Sequence, residues 1–138
     1  MRRFSVRGVV WTMLGVLVVL PGLGCGGSNA GSARYVPDAT SARQALETAL
    51  AAWQRGESAG RIVASSPPIE VVDTRRPAGK KLAGFDIVGE EGGDGPRWFT
   101  VRLKFDSDGD AEEVRYAVVG RDPIWVFRDA DYSQIGAM

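Results

Sequence analysis

RWFTVRLKFDSDGDAEEVRYAVVG, residues 97–120, is the stretch on which the fold turns. Phe99, Val101, Leu103 and Phe105 alternate with Trp98, Thr100, Arg102 and Lys104, the period of a strand with one buried face. Val114, Tyr116 and Val118 repeat the pattern after Asp108-Gly109, a pair that favours a two-residue type I′ hairpin turn because both central residues need positive φ. That turn pairs Ser107 with Asp110, Phe105 with Glu112, Leu103 with Val114, Val101 with Tyr116 and Phe99 with Val118. The apolar residues of both strands then share one face, and a one-residue slip would put Glu113 and Arg115 among them. The same register sets Arg102 opposite Arg115 on the other face, a like-charge pair.

Working outward, period-two patterns rich in Val, Ile, Phe and Trp predict strands at about 69–73, 82–89, 97–106, 111–120 and 123–128. A Gly-rich acidic loop over 90–96 that sets Gly89 opposite Arg97 brings Ala83, Phe85 and Ile87 to the inner face. A two-residue turn near Gly120-Arg121-Asp122 brings Trp125 and Phe127 there too. Upstream, Ala42, Ala45, Leu46, Ala49, Leu50 and Trp53 follow the i, i+3, i+4 spacing of one helix stripe. Ser41 with Gln44 reads as a capping box, and Gly56 as the stop, giving a helix over about 41–55. Between helix and first strand, Ile62-Val63 reads as a short helical turn, and Pro67-Pro68 forces extended backbone. The expected fold is α+β, with one N-terminal helix packed on a four- to five-stranded antiparallel meander whose first strand lies at or near an edge.

The outer face of that sheet is unusual. The same registers align Val88, Trp98 and Val119 there, with Ile124 close by and Ala117 and Val126 as neighbours. A solvated face should be polar. This row is the candidate surface for an unknown protein partner or for self-association, unless the C-terminal segment with Tyr132, Ile135 and Met138, or the Ile62-Val63 connector, folds over it.

The chain opens with Arg2, Arg3 and Arg7, then an apolar run over 9–20, then Pro21-Gly22 and small residues up to Cys25, the only cysteine. Basic, apolar and small regions in that order form a secretory signal, and the apolar run is short of the ~20 residues that span a bilayer. Gly22-Leu23-Gly24-Cys25 resembles the lipobox of bacterial lipoprotein precursors, with Gly24 and Cys25 in place and Leu23 one position closer to the cysteine than usual. The resemblance covers residues 1–25. It implies diacylglycerol on the Cys25 sulfur and cleavage of the Gly24–Cys25 bond. It further implies acylation of the new amino group, a cell-envelope location, and, with Gly26 after the cysteine, the outer membrane facing the periplasm in a diderm cell. An uncleaved N-terminal anchor and plain secretion with a free thiol are the alternatives. The domain plan is a signal peptide over 1–24, lipidated Cys25 with a Gly/Ser/Ala-rich tether over 25–38, and a single domain over 39–138.

The whole chain carries 17 basic and 17 acidic residues, and the three arginines of the signal leave the mature part at 14 against 17. No basic patch or tail remains, which argues against nucleic acid as a partner and rests membrane association on lipid. There is no histidine. Catalysis by Ser-His-Asp or Cys-His groups is thereby excluded, as are zinc sites built on His or Cys, and no catalytic residue, metal or cofactor is expected. Asp106-Ser107-Asp108-Gly109-Asp110 spaces its carboxylates like the start of an EF-hand, but Ala111 and Ala117 stand where Gly and Glu are needed. Glu90, Glu91 and Asp94 read as a solvated loop, and Arg128, Asp129 and Asp131 as surface charges.

The order of elements over about 41–128 is similar to that of cystatin-like and NTF2-like domains, which wrap a curved antiparallel sheet around a helix. That resemblance implies a second reading, a small-ligand pocket between helix and sheet near Trp53, Tyr116 and Trp125.

Overall fold

Asp38 opens the first helix. Its carboxylate accepts hydrogen bonds from the Ser41 backbone N–H at 2.9 Å and the Ser41 hydroxyl at 2.7 Å. Those bonds, the backbone one first, hold the Asp38 carboxyl below its ordinary pKa. The cap is therefore Asp38, not Ser41, and α1 spans Ala39–Gln54. The computed structural model describes residues 34–106 and 109–138. The signal, Cys25, most of the tether, and Ser107 and Asp108 of the expected hairpin turn lie outside the described residues. All six stripe residues of α1 are buried. Gly56, at φ +85°, ends the helix in the conformation that glycine adopts without a Cβ clash.

The sheet is mixed and has six strands, β1 (Arg61–Ile62), β2 (Ile69–Val72), β3 (Leu82–Glu91), β4 (Arg97–Phe105), β5 (Ala111–Val119) and β6 (Ile124–Arg128), in the order β1-β2-β6-β5-β4-β3. The helix-on-sheet class holds, but the plain antiparallel meander does not. β2 lies second from one edge and runs parallel to β6, pairing Ile69 with Ile124 and Val71 with Val126. The chain then crosses to the far edge and returns as β3 to β6. Ile62 is not in a helical turn but pairs with Ile69 as an edge strand. The inner face, α1 and these strands share one core, in which Leu46, Phe99, Val101, Leu103 and Val118 are sealed from solvent.

Three registers differ from expectation, each for a different reason. β4 and β5 pair Phe99 with Tyr116 and Val101 with Val114, two residues away from the two-residue turn register. A shift of two leaves every side chain on its face, so hydrophobicity cannot distinguish the registers. Charge does, because Arg102 now faces Glu113, at 3.9 Å, instead of Arg115. β3 carries two irregularities, between Leu82 and Gly84 and between Ile87 and Gly89. A bulge leaves one residue unpaired. Leu82 thus takes the buried place expected of Ala83, Gly89 faces Thr100 rather than Arg97, and Val88 is left at the second bulge.

The third difference reverses a face. β5 and β6 pair Val119 with Trp125 and Val118 with Val126, leaving five residues between the last pair. A two-residue turn and a five-residue loop differ in parity, so the whole of β6 is inverted relative to expectation. Ile124 and Val126 enter the core, whereas Trp125 and Phe127 stand on the outer face. Gly120 holds the loop at φ +82°, where a Cβ would lie 2.6 Å from the Pro123 carbonyl oxygen. After β6 the chain forms a second helix, α2 (Asp129–Gly136), on the outer face. Asp129 and Asp131 in its first turn complement the helix dipole.

Candidate functional site

Inverting β6 builds a different outer row from the expected one. Cross-strand pairs set Val72 beside Phe127, Phe127 beside Ala117, and Ala117 beside Trp98. Trp125 and Val119 form a shorter row next to it. Of the expected row, Trp98 and Val119 are on this face, Val88 is an exposed bulge residue, and Ile124 is in the core. α2 covers one end of the face. Tyr132 meets Trp98 edge-on, with ring centroids 5.5 Å apart, and packs on Phe127 at 5.6 Å. The Arg115 guanidinium lies 4.5 Å from the Trp98 ring centre, so this tryptophan is enclosed by side chains of its own domain.

Beyond Tyr132 the cover stops. Val72, Val119, Trp125, Phe127, Tyr132 and Ile135 line an open hollow of about 440 Å³. Trp125 lies flat on Phe127, at 5.6 Å and 8°, and remains 36% exposed. Ile135, on the open side of α2, is 53% exposed. A second hollow of about 560 Å³ adjoins it, sharing Val119 and Tyr132 and adding Tyr35, Val36, Asp94, Gly95 and Pro96. Its wall is the first described part of the chain. The Gly120 N–H donates to the Tyr35 carbonyl, Arg121 to the Val36 carbonyl at 3.2 Å, and Arg97 to the Pro37 carbonyl at 2.8 Å. The apolar hollow has no ionisable wall residue apart from the Tyr132 phenol, so it suits binding by burial and not proton transfer.

The expected pocket residues do not converge. Tyr116 is fully buried beneath the helix, and Trp125 is on the opposite side of the sheet. Trp53 sits in the core at the end of α1, in edge contact with Phe105 at 5.7 Å. The hollow beside it, about 380 Å³, is lined by Gly56, Glu57, Ser58, Arg76, Gly79, Lys80 and Lys81 as well. The Arg76 guanidinium covers the Trp53 ring at 4.4 Å, and the charged residues of this hollow are Arg76, Lys80 and Lys81 against the single carboxylate of Glu57.

Sequence reasoning missed a buried charged cluster. Asp73, just after β2, accepts from Arg128 Nε at 2.6 Å and Nη2 at 3.3 Å, from the Tyr116 hydroxyl at 3.1 Å and from Arg76 Nε at 3.5 Å. Arg128 and Asp131, expected at the surface, are buried, and Asp131 accepts from the Thr74 N–H and hydroxyl. Burial, followed by the charge of Asp73, pushes the Tyr116 phenol well above its ordinary pKa. Burial, the largest single influence on Arg128, works against its charge, but the Asp73 hydrogen bond together with the electrostatic influence of Tyr116, Asp73 and Glu112 outweighs it and raises that pKa. With its oxygens so occupied, Asp73 is a clamp joining β2 to the β6–α2 corner rather than a general base. Its sequence signal was faint: an Asp ending one strand and an Arg ending another, separated by 54 residues.

Among the described residues no group of three His, Cys, Asp or Glu is placed to hold a metal ion. No helix among them is long and apolar enough to cross a membrane. Glu90 and Glu91 are paired with Arg43 at 3.8 Å and Arg115 at 3.3 Å. No family model, curated protein or solved structure matches the chain.

Proposed function

We propose that this chain is a lipid-anchored protein of the bacterial cell envelope. Its domain is a non-enzymatic binding module, and the apolar hollow on the outer sheet face is its binding surface. The observation that carries the reading is that hollow, lined by Val72, Val119, Trp125, Phe127, Tyr132 and Ile135, left open beside a helix that covers one end of the face. Covering a side chain the size of Ile135 or Trp125 contributes on the order of 1.5–3 kcal/mol. The anchor is Cys25, preceded by the signal over 1–24. Two acyl chains or more make such an anchor firm, where one binds only marginally. Gly26 directs it to the outer membrane of a diderm cell, on the periplasmic side.

Intact-mass analysis of the protein from cell membranes tests the anchor. The expected product begins at Cys25 and carries diacylglycerol, and Cys25→Ser moves the protein out of the membrane fraction. An unmodified Cys25 in the membrane-bound protein sinks the reading. Anilinonaphthalene sulfonate fluorescence tests the surface: the folded protein enhances it, and Ile135→Asp abolishes most of the enhancement.

A second reading, a small-ligand pocket, is favoured by the hollow at Trp53. Its walls of Arg76, Lys80 and Lys81 suit an anion rather than an apolar ligand. Titration with inorganic phosphate at constant ionic strength, followed by a melting-temperature shift that Lys81→Ala removes, tests it.

A further inference from the structure

The hollow on the outer face has a neighbour that identifies what it meets. The first described residues, Tyr35 and Val36, form the wall of the adjoining hollow and are pinned there through their carbonyls by Gly120 and Arg121. The first described residues therefore border the outer sheet face, and the chain passes from there to Asp38 at the start of α1. Only ten peptide bonds separate Tyr35 from Cys25. A chain that short reaches at most about 36 Å, and sequences rich in Gly and Ser average about 16–19 Å over ten residues.

We infer that the apolar outer face rests on the lipid surface that holds the Cys25 anchor, with the Trp125–Ile135 hollow at the boundary between headgroups and acyl chains. The inference rests on the reading of Cys25 as the lipidated residue and names the partner of the binding surface proposed above. Three observations support it. Tyr35, from which ten peptide bonds run to Cys25, lines the hollow that adjoins the open one. The hollow presents Trp125 and Tyr132, apolar bodies with one polar tip each, which are the side chains enriched where membrane meets water. The nearest acidic strand residue, Glu70, which faces Trp125 across β2 and β6, is neutralised by Arg61 at 3.0 Å, so no bare carboxylate there opposes a headgroup layer.

The modest size of the hollow also fits this partner. A free domain would gain too little from it to stay on a membrane. A tethered one meets the surface at the high effective concentration that a short linker sets. Docking then fixes orientation, with α1 and its polar side directed away from the bilayer.

The test uses the lipidated protein purified from cell membranes and placed in phosphatidylcholine vesicles with acyl chains brominated near the headgroup. An amphipathic face sinks about 5–10 Å into this boundary, within reach of the bromines. Tryptophan emission is expected to fall relative to vesicles without bromine, and Trp125→Phe to remove that fall. Ile135→Asp, at an exposed position where folding is not at stake, is expected to reduce quenching at least about twofold. Emission insensitive to bromine in protein whose mass shows lipid on Cys25 overturns the inference and leaves the anchor standing, as does quenching that Ile135→Asp does not change. A mass without lipid on Cys25 removes the anchor and the inference together.

Discussion

Both faces of this sheet carry an apolar patch, yet the two patches are finished differently. On the inner face, sixteen residues of α1 lay an unbroken stripe along the strands, and Leu46, Phe99, Val101 and Leu103 have no solvent exposure. On the outer face, eight residues of α2 cover Trp98 through one tyrosine and leave Trp125 and Ile135 in the open. The difference teaches that apolar patterning marks a face for contact but does not say with what. Burial is concentrated on one side, and the other side is left partly open.

The largest expected effect lies at the seam between the faces. Asp73→Ala removes the buried carboxylate from Arg128 and Arg76, leaving Arg128 only the more distant Glu112 at 3.8 Å, and urea unfolding should show a loss of about 3–5 kcal/mol. A loss under 1 kcal/mol would mean that water reaches the cluster and that the faces are not held together there. The direct comparison comes next. Leu46→Ala on the inner face should cost about 2–5 kcal/mol. Trp125→Ala on the outer face, where the ring is part-buried and stacked, should cost less, about 1–3 kcal/mol. Equal costs would erase the distinction.

Two smaller effects depend on pH. Tyr116 has a raised pKa when folded, so its contribution is present below the ordinary value of about 10 and is lost as pH climbs through the folded value. In an alkaline absorbance titration the Tyr116 phenol should ionise late, and stability should fall as it does. Asp38 is the reverse case. Its lowered pKa gives stability that is present above the ordinary carboxylate value and lost as pH falls through the folded one. The gap in melting temperature between wild type and Asp38→Ala should therefore narrow on acidification.

What could be read from the sequence divides along the same seam. The stripe of α1 and the inner residues of β4 and β5 were legible because periodicity is local and because a register error of two preserves faces. The outer face was legible only in kind. Its apolar character was visible, and cover by Tyr132 was one of the expected alternatives. The members of its row, however, depended on the parity of one loop, and five residues where two were expected exchanged Trp125 and Phe127 for Ile124 and Val126. The pairing of β2 with β6 and the Asp73–Arg128 clamp join residues more than fifty positions apart, and nothing local in either segment announces the other. Cys25 and the signal lie outside the described residues, and their reading still rests on sequence alone.

The parallel pairing of β2 with β6 has a consequence for the order in which the domain is made. β2 emerges from the ribosome early, but the strand it must lie against, β6, follows β3, β4 and β5. Until then β2 has no neighbour except the two-residue β1, and the stripe of α1 lacks part of the surface that covers it. Folding in the order of synthesis is thus blocked at its first sheet strand, and the long-range closure comes last. A nascent chain cut anywhere before Ile124 carries α1, β1 and β2 without the strand that joins them to β3, β4 and β5, so the sheet closes only once β6 has been made.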